Sequence, residues 1–338
     1  MTTLRGQNFD EHFSCEFLGV ISHVQSNKSQ FRSGDHVICL KPGRFDSEVL
    51  LDEEACFKVE EEQGQSLLGK ALPYYLARQA LLPHRKLRCT DNVLVAAPGD
   101  PLTLAAIDIL HRQKIEPMVV YGNEDERDFL SKGSSISPER LIHKAEIDCI
   151  RLHKHGSALH GFQAILVGGG LTNLHRLWEH LAPNGKFILC DQPVPADIGA
   201  LDASKFASGA SLCSVSRKSL LEEPEEMKGA LVQVSGNVGV NLRWPSTSKF
   251  VISELQKAAE EVSKQPFGGQ VQLICLPSSI VPVYRQPRNL IFPSDSSFLL
   301  IGCLGGLGRS IVSWMERQGA RHFIFLSPSA LDKPAAAS

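Results

Sequence analysis

The stretch from Val93 to Tyr121 limits what this chain can fold into more than any other. Asn92-Val93-Leu94-Val95-Ala96-Ala97 is short, continuous and apolar, as expected of a strand buried on both faces. Pro98-Gly99-Asp100-Pro101 follows as a sharp turn. Leu102 to Gln113 carries an apolar face at helical spacing, and Met118-Val119-Val120-Tyr121 is a second buried strand. Strand, tight turn, helix and strand within roughly 30 residues make the first βαβ unit of a dinucleotide-binding fold. In such a unit the first turn normally carries glycines, so that backbone amides at the helix N-terminus can approach a pyrophosphate. Here the architecture is present and the glycines are mostly replaced.

With 338 residues the chain is long enough for two or three domains with sizeable cores. A formal net charge of −2 gives no reason to expect a nucleic-acid or membrane-surface partner. No apolar run approaches the ~20 residues that cross a bilayer, and Met1-Thr2-Thr3-Leu4-Arg5-Gly6-Gln7 lacks the apolar core of a secretory signal. The nine cysteines are scattered singly, without a CxxC pair or metal-like spacing, which fits a reducing cytoplasm and inert thiols.

Before the βαβ unit, short strands are expected over Cys15 to His23, Phe45 to Leu51 and Ala55 to Val59, and Phe31 to Leu40 reads as a turn running into another strand. They predict a small all-β domain or part barrel. Leu67 to Leu82 has a helical period that Pro73 is expected to break.

Several motifs in this order resemble a known family. They are Glu16-Phe17-Leu18-Gly19-Val20-Ile21, Phe31-Arg32-Ser33-Gly34-Asp35-His36-Val37, Pro42-Gly43-Arg44-Phe45 and Pro73-Tyr74-Tyr75. With Val93-Leu94-Val95, Gly122 to Leu130 and Leu181 to Phe187, they resemble the enoyl reductase of fungal-type highly reducing polyketide synthases, a medium-chain reductase. The resemblance covers most of residues 12 to 275. It implies an α/β chain: a GroES-like β part-barrel over 1–85 and 246–277, and a Rossmann-type doubly wound parallel sheet over 86–245. The family has further strands before Cys15, so a piece of a longer chain, or a gene model that starts late, is expected.

Four departures from the family bear on NADPH, its cofactor. Asp100 puts a carboxylate where phosphates sit, and two like charges ~4 Å apart cost about 4 kcal/mol at a surface-like dielectric. Pro101 removes an amide, and Thr103 adds a branched side chain where close backbone approach is wanted. Gly99, Asp100, Thr103, Glu126, Arg127, Gly168 and Gly169 are the vestigial cofactor positions that the resemblance implies. After the second strand the family offers lysine then arginine, and here Glu126 stands at the lysine position while Arg127 is kept. An acidic run is also ordinary helix-start chemistry. The family's candidate proton donor, a lysine, is replaced by Gln192 in Asp191-Gln192, which has no proton to give at neutral pH. The aspartate proposed as its partner falls near Ser216. No catalytic residue is assigned, and these are degenerate positions. The resemblance therefore implies a domain that does not bind NADPH, with an active NADPH-dependent enoyl reductase as the alternative. In that alternative Gly99, Arg127 and the Gly168-Gly169-Gly170 turn would hold the cofactor.

Other chemistry is thin. Gly168-Gly169-Gly170 follows the apolar strand Ala164 to Val167 in the manner of a phosphate cradle, but reads as a flexible turn instead. His143, His153, His155 and His160 lack a carboxylate or cysteine at ligand spacing. Ser14-Cys15-Glu16 sits where zinc-dependent relatives carry His-Glu, but the zinc cysteines are missing, and no metal is expected.

Ser278 to Ser297 is rich in Pro, Arg and Ser, a linker composition assigned to 278–297. Phe298 to Ile301 is then a new buried strand, followed by Gly302-Cys303-Leu304-Gly305-Gly306-Leu307-Gly308, a helix from Ile311 to Gln318 and a strand from Phe323 to Ser327. Gly302, Gly306 and Gly308 form a glycine fingerprint in the right context. It resembles the opening of a ketoreductase over 298–338, with Pro328 where that family has an arginine for the 2′-phosphate. The resemblance implies a degenerate, structural pseudo-enzyme domain within a cytoplasmic multidomain synthase. Its partners would be the neighbouring domains, an acyl carrier protein and a separate enoyl reductase, and a homodimer through the nucleotide-fold sheet is common among its relatives.

Overall fold

The computed structural model describes residues 14–25, 29–43, 48–82, 87–134, 136–149, 161–169, 171, 174–191, 201–217, 231, 243–264, 269–276, 278–280 and 290–327. The chain divides into two compact units, Met1–Ile280 and Val281–Ser338.

The first unit is built on a six-stranded parallel sheet. Its strands are β4 (Val93–Ala96), β5 (Met118–Tyr121), β6 (Leu141–His143), β7 (Phe162–Val167), β8 (Leu181–Cys190) and β9 (Ser211–Val215), in the order β6-β5-β4-β7-β8-β9. That order reverses between β4 and β7, the topological switch where doubly wound sheets bind ligands. The strict alternation of a strand divides the core. Val93, Val95, Val119, Ala164, Leu166 and Ile188 face one side, and Leu94, Ala96, Val120, Ile165, Val167 and Phe187 face the other. Helices α2 (Ala71–Leu81) and α3 (Leu102–Arg112) cover the first face, and α5 (Leu174–Glu179) covers the second through Leu174, Leu177 and Trp178.

An antiparallel sheet of β1 (Ser14–Val20), β2 (His36–Gly43) and β3 (Cys56–Lys58) precedes it, in that spatial order. The strand expected over Phe45 to Leu51 does not extend into residues 48–51, which are irregular. Val49 and Leu50 are exposed there, so no apolar face holds the segment in a sheet. The helical stretch after it is broken, though not at Pro73. Helix α1 (Glu61–Leu67) ends before Gly69, whose φ of +82° turns the chain into α2. Pro73 lies in the first turn of α2, where the missing amide costs nothing. A short helix α6 (Ser204–Ala207) precedes β9, and two further parallel strands, β10 (Thr247–Val251) and β11 (Gln270–Ile274), flank a helix α7 (Leu255–Lys264). Gln270 Nε2 donates to the Gly69 carbonyl at 2.5 Å, tying β11 to the α1–α2 turn.

The second unit holds β12 (Ser297–Ile301), α8 (Gly306–Arg317) and β13 (His322–Leu326), with the strands parallel. The helix starts five residues earlier than its apolar period suggests, because Gly305 serves as N-cap. Pro328 lies outside the described residues.

Candidate cofactor site

The turn after β4 sits at the switch point, and its amides can be followed one by one. Gly99, in the left-handed region at φ +74°, donates its N–H to Glu126 Oε1 at 2.9 Å. Asp100 N–H donates to the Ala97 carbonyl at 3.1 Å, and Pro101 has no N–H. Leu102 N–H, in the first turn of α3, donates to Asp100 Oδ1 at 2.8 Å. Thr103 N–H donates to the Asp100 carbonyl at 3.0 Å. Each amide from 99 to 103 is thus paired within the protein or absent. A helix N-terminus binds an anion because its first amides lack acceptors, and here an internal carboxylate supplies one. The Gly169 backbone also hydrogen-bonds the Asp100 carboxylate. Burial raises the Asp100 pKa, while the Leu102 amide and then the Arg217 charge oppose that rise.

Thr103 is fully buried, and its hydroxyl donates to the Ala97 carbonyl at 2.6 Å. It knits the end of β4 to α3. Gly168 serves the same packing. A Cβ on it would lie 2.5 Å from that of Ala97, so the ends of β4 and β7 meet through this glycine. Its amide donates to the Ala96 carbonyl at 3.0 Å. Gly169 is half-buried beside it, and Gly170 lies outside the described residues.

Glu126 is 1% exposed and spans two turns. Oε1 takes the Gly99 amide, and Oε2 takes the Gly122 amide at 2.7 Å. The residue belongs to α4 (Glu124–Gly133), whose N-cap Asn123 accepts the Glu126 N–H at 2.9 Å. Sequence reasoning reads Glu126 as an acid in place of a cation, but not as an internal ligand joining both turns. Its spacing behind the Gly122 turn is the only sequence signal for that role. Burial raises its pKa, and the two amides and the Lys144 charge counter this. Arg127 points away, pairing with Glu124 at 3.1 Å and lying over the Tyr121 ring at 6.0 Å.

Directly after β8, Asp191 adopts φ +51°, a left-handed conformation that Asp tolerates better than most residues. Its carboxylate accepts the Arg217 N–H at 3.2 Å and pairs with Arg217 Nη2 at 2.6 Å. The charge of Arg217 also reaches Glu16 of β1, whose carboxyl is pushed up to about 7 by burial, against the Leu72, Gly69 and Ala71 backbone amides. Sequence reading did not connect Asp191, Arg217 and Glu16, because no spacing links three separate elements. Ser216 is half-buried between Val215 and Arg217. Gln192 lies outside the described residues, as do His153, His155 and His160, and His143 packs edge-on against Tyr121. No cluster of three metal-ligating side chains occurs among the described residues, and no described helix is long and apolar enough to cross a membrane.

The residues present do not fit a pyrophosphate at this turn. An incoming phosphate would meet the Asp100 carboxylate and amides already engaged. In the second unit, Gly302 has φ +73° and donates its N–H to the Leu326 carbonyl at 2.8 Å. A Cβ on Gly308 would collide with the Cys303 carbonyl, and none on Gly302, Gly305 or Gly306 would meet an atom within 4 Å. This turn is open at three of its glycines.

Residues 296–338 match the family model for the KR domain. Along nearly its whole length the chain is similar to highly reducing polyketide synthases. One from Aspergillus sclerotiorum is 26% identical over 339 residues, covering 99% of this chain and 13% of the relative. One from Pyrenophora dematioidea is 27% identical over 362 residues, covering 99% and 14%. The chain therefore spans about one-seventh of the curated relatives it matches. Among solved structures, the CurK enoyl reductase superposes with a TM-score of 0.63 at 17% identity, covering 78% of this chain and 79% of that one. A mycobacterial protein complexed with NADPH gives 0.59 at 17%, covering 77% and 81%. The fold is that of the medium-chain reductases.

Proposed function

We propose that this chain is a stretch of a highly reducing polyketide synthase in which the enoyl reductase-like domain has a structural role and neither binds NADPH nor reduces a substrate. In this reading residues 1–85 and 246–277 form the GroES-like part, 86–245 the degenerate nucleotide domain, 278–297 a linker and 298–338 the start of a ketoreductase. The observation that carries the proposal is the closed account of amides at the turn 99–103, completed by the carboxylates of Asp100 and Glu126. Anion binding at a helix N-terminus requires unsatisfied donors. Here a phosphate would have to displace two internal carboxylates and remain beside them.

The domain then holds its neighbours in position while an acyl carrier protein carries the growing chain between them. Reduction of an α,β-unsaturated thioester falls to a separate enoyl reductase, or the double bond is kept. The test is a calorimetric titration of the chain with NADPH. The expected result is no saturable binding assignable to the first unit up to about 1 mM, equivalent to about 4 kcal/mol. The same titration on the Gly305→Ala/Gly306→Ala variant, which places methyl groups in the open turn of the second unit, reads the contribution of that turn. Binding tighter than ~100 μM that persists in this variant overturns the proposal, and reduction of a crotonyl thioester becomes the next assay.

A further inference from the structure

Cys39 and Cys56 face each other in the antiparallel sheet. They are register partners on β2 and β3, and their Sγ atoms are 3.4 Å apart. Two kinds of facing pair exist in such a ladder, and only one brings side chains close. The kind present follows from the neighbouring bond, in which Val59 N–H donates to the His36 carbonyl at 3.0 Å. That makes His36 and Val59 a hydrogen-bonded pair, so the alternation places Cys39 and Cys56 three steps along at a non-hydrogen-bonded one. Pairs of that kind have Cα atoms ~4.5 Å apart, inside the range that a disulfide spans. The two thiols already touch within a small apolar cluster with Phe31 and Val37. Strand β3 has three residues and lies at the edge of its sheet, so Cys56 can be reached by a small oxidant when this edge opens.

We propose that Cys39 and Cys56 are a built-in oxidation site that closes to a cross-strand disulfide on exposure to a peroxide. One thiolate attacks a peroxide oxygen, the O–O bond breaks, and a sulfenic acid and water result. The second thiol attacks that sulfur, the S–S bond forms, and a second water leaves. Two thiols lose two electrons and two protons, and one hydrogen peroxide becomes two waters. The bond pins the short edge strand to β2 and shuts a loop of 17 residues' separation. This site is independent of the cofactor turn, so its fate and that of the structural reading are decided separately.

The experiment uses the full chain. Exposed thiols, Cys89 and Cys275 among them, are first alkylated under native conditions. Hydrogen peroxide is then added, the protein is denatured, and remaining thiols are labelled with a second alkylating agent. The expected result is a loss of two labelled thiols and a cross-linked peptide joining the segments of Cys39 and Cys56. The product should be absent from both Cys39→Ala and Cys56→Ala. The oxidised protein should also melt about 5 °C or more above the reduced one, a shift that reductant reverses. If both cysteines take the second label after peroxide has fully oxidised Cys89 in an unalkylated sample, the proposal fails. It fails equally if the cross-linked peptide joins other cysteines.

Discussion

Asp100 acts at the head of α3 as a bound phosphate does in a nucleotide-binding turn: it accepts the Leu102 amide and a Gly169 backbone group. Removing the carboxylate should therefore behave as the loss of a helix cap. Asp100→Ala is expected to destabilise the first unit by about 1 kcal/mol in urea unfolding. Glu126 has more at stake, because it is buried and serves two amides from separate turns. Glu126→Gln keeps its size but places an NH2 group against one of those amides, at an expected cost of roughly 1–3 kcal/mol. Glu16 gives a pH signature. Burial pushes its carboxyl up to about 7, against a usual 4.5. A carboxyl raised by folding adds stability below its unfolded pKa and loses it as pH climbs through the folded one. Glu16→Gln should therefore match the parent in melting temperature near pH 4.5 and exceed it increasingly towards pH 8. A constant difference across that range would show that Glu16 is not the titrating group. The sequence made the change at Asp100 legible as a lost phosphate site. It did not reveal Glu126 as the second half of the plug, since its partners, Gly99 and Gly122, are joined only by folding.

At the scale of elements, legibility followed burial. The βαβ unit from β4 to β5 was readable because both strands are buried on two faces and spell uninterrupted apolar runs. The break between α1 and α2 falls at Gly69 and not at Pro73 for a physical reason. Proline marks a helix interior and a helix start with the same letter, and only the left-handed Gly69 distinguishes the two here. That turn is also where β11 docks, because a Cβ on Gly69 would lie 2.5 Å from Gln270 Oε1. Gly69→Ala thus combines an unfavourable φ with a displaced hydrogen bond. It is expected to lower stability by about 2 kcal/mol or more. Gln270→Ala alone should cost less, since it leaves the turn itself unstrained. Equal losses in denaturant unfolding would put the whole effect on the Gln270 bond.

Across the whole molecule the two units differ in how far they satisfy their own surfaces. The parallel sheet of the first has helices against both faces, the arrangement such sheets require. In the second, Phe298 and Phe323 pack together on one face of the two-stranded sheet. On the other face Leu299, Ile301, Ile324 and Leu326 are 55–68% exposed, and they are register partners, Leu299 with Ile324 and Ile301 with Leu326. Two parallel strands with a bare aliphatic face bury too little apolar surface to offset the entropy of ordering them. Residues 281–338 produced alone should accordingly show no cooperative melt and should bind a hydrophobic dye, whereas residues 1–280 should melt cooperatively. Replacing Leu299 and Ile324 with threonine should reduce dye binding by the excised piece without restoring a melt, because the deficit lies in missing partner surface. A cooperative transition for residues 281–338 would mean that the segment supplies its own cover for that face.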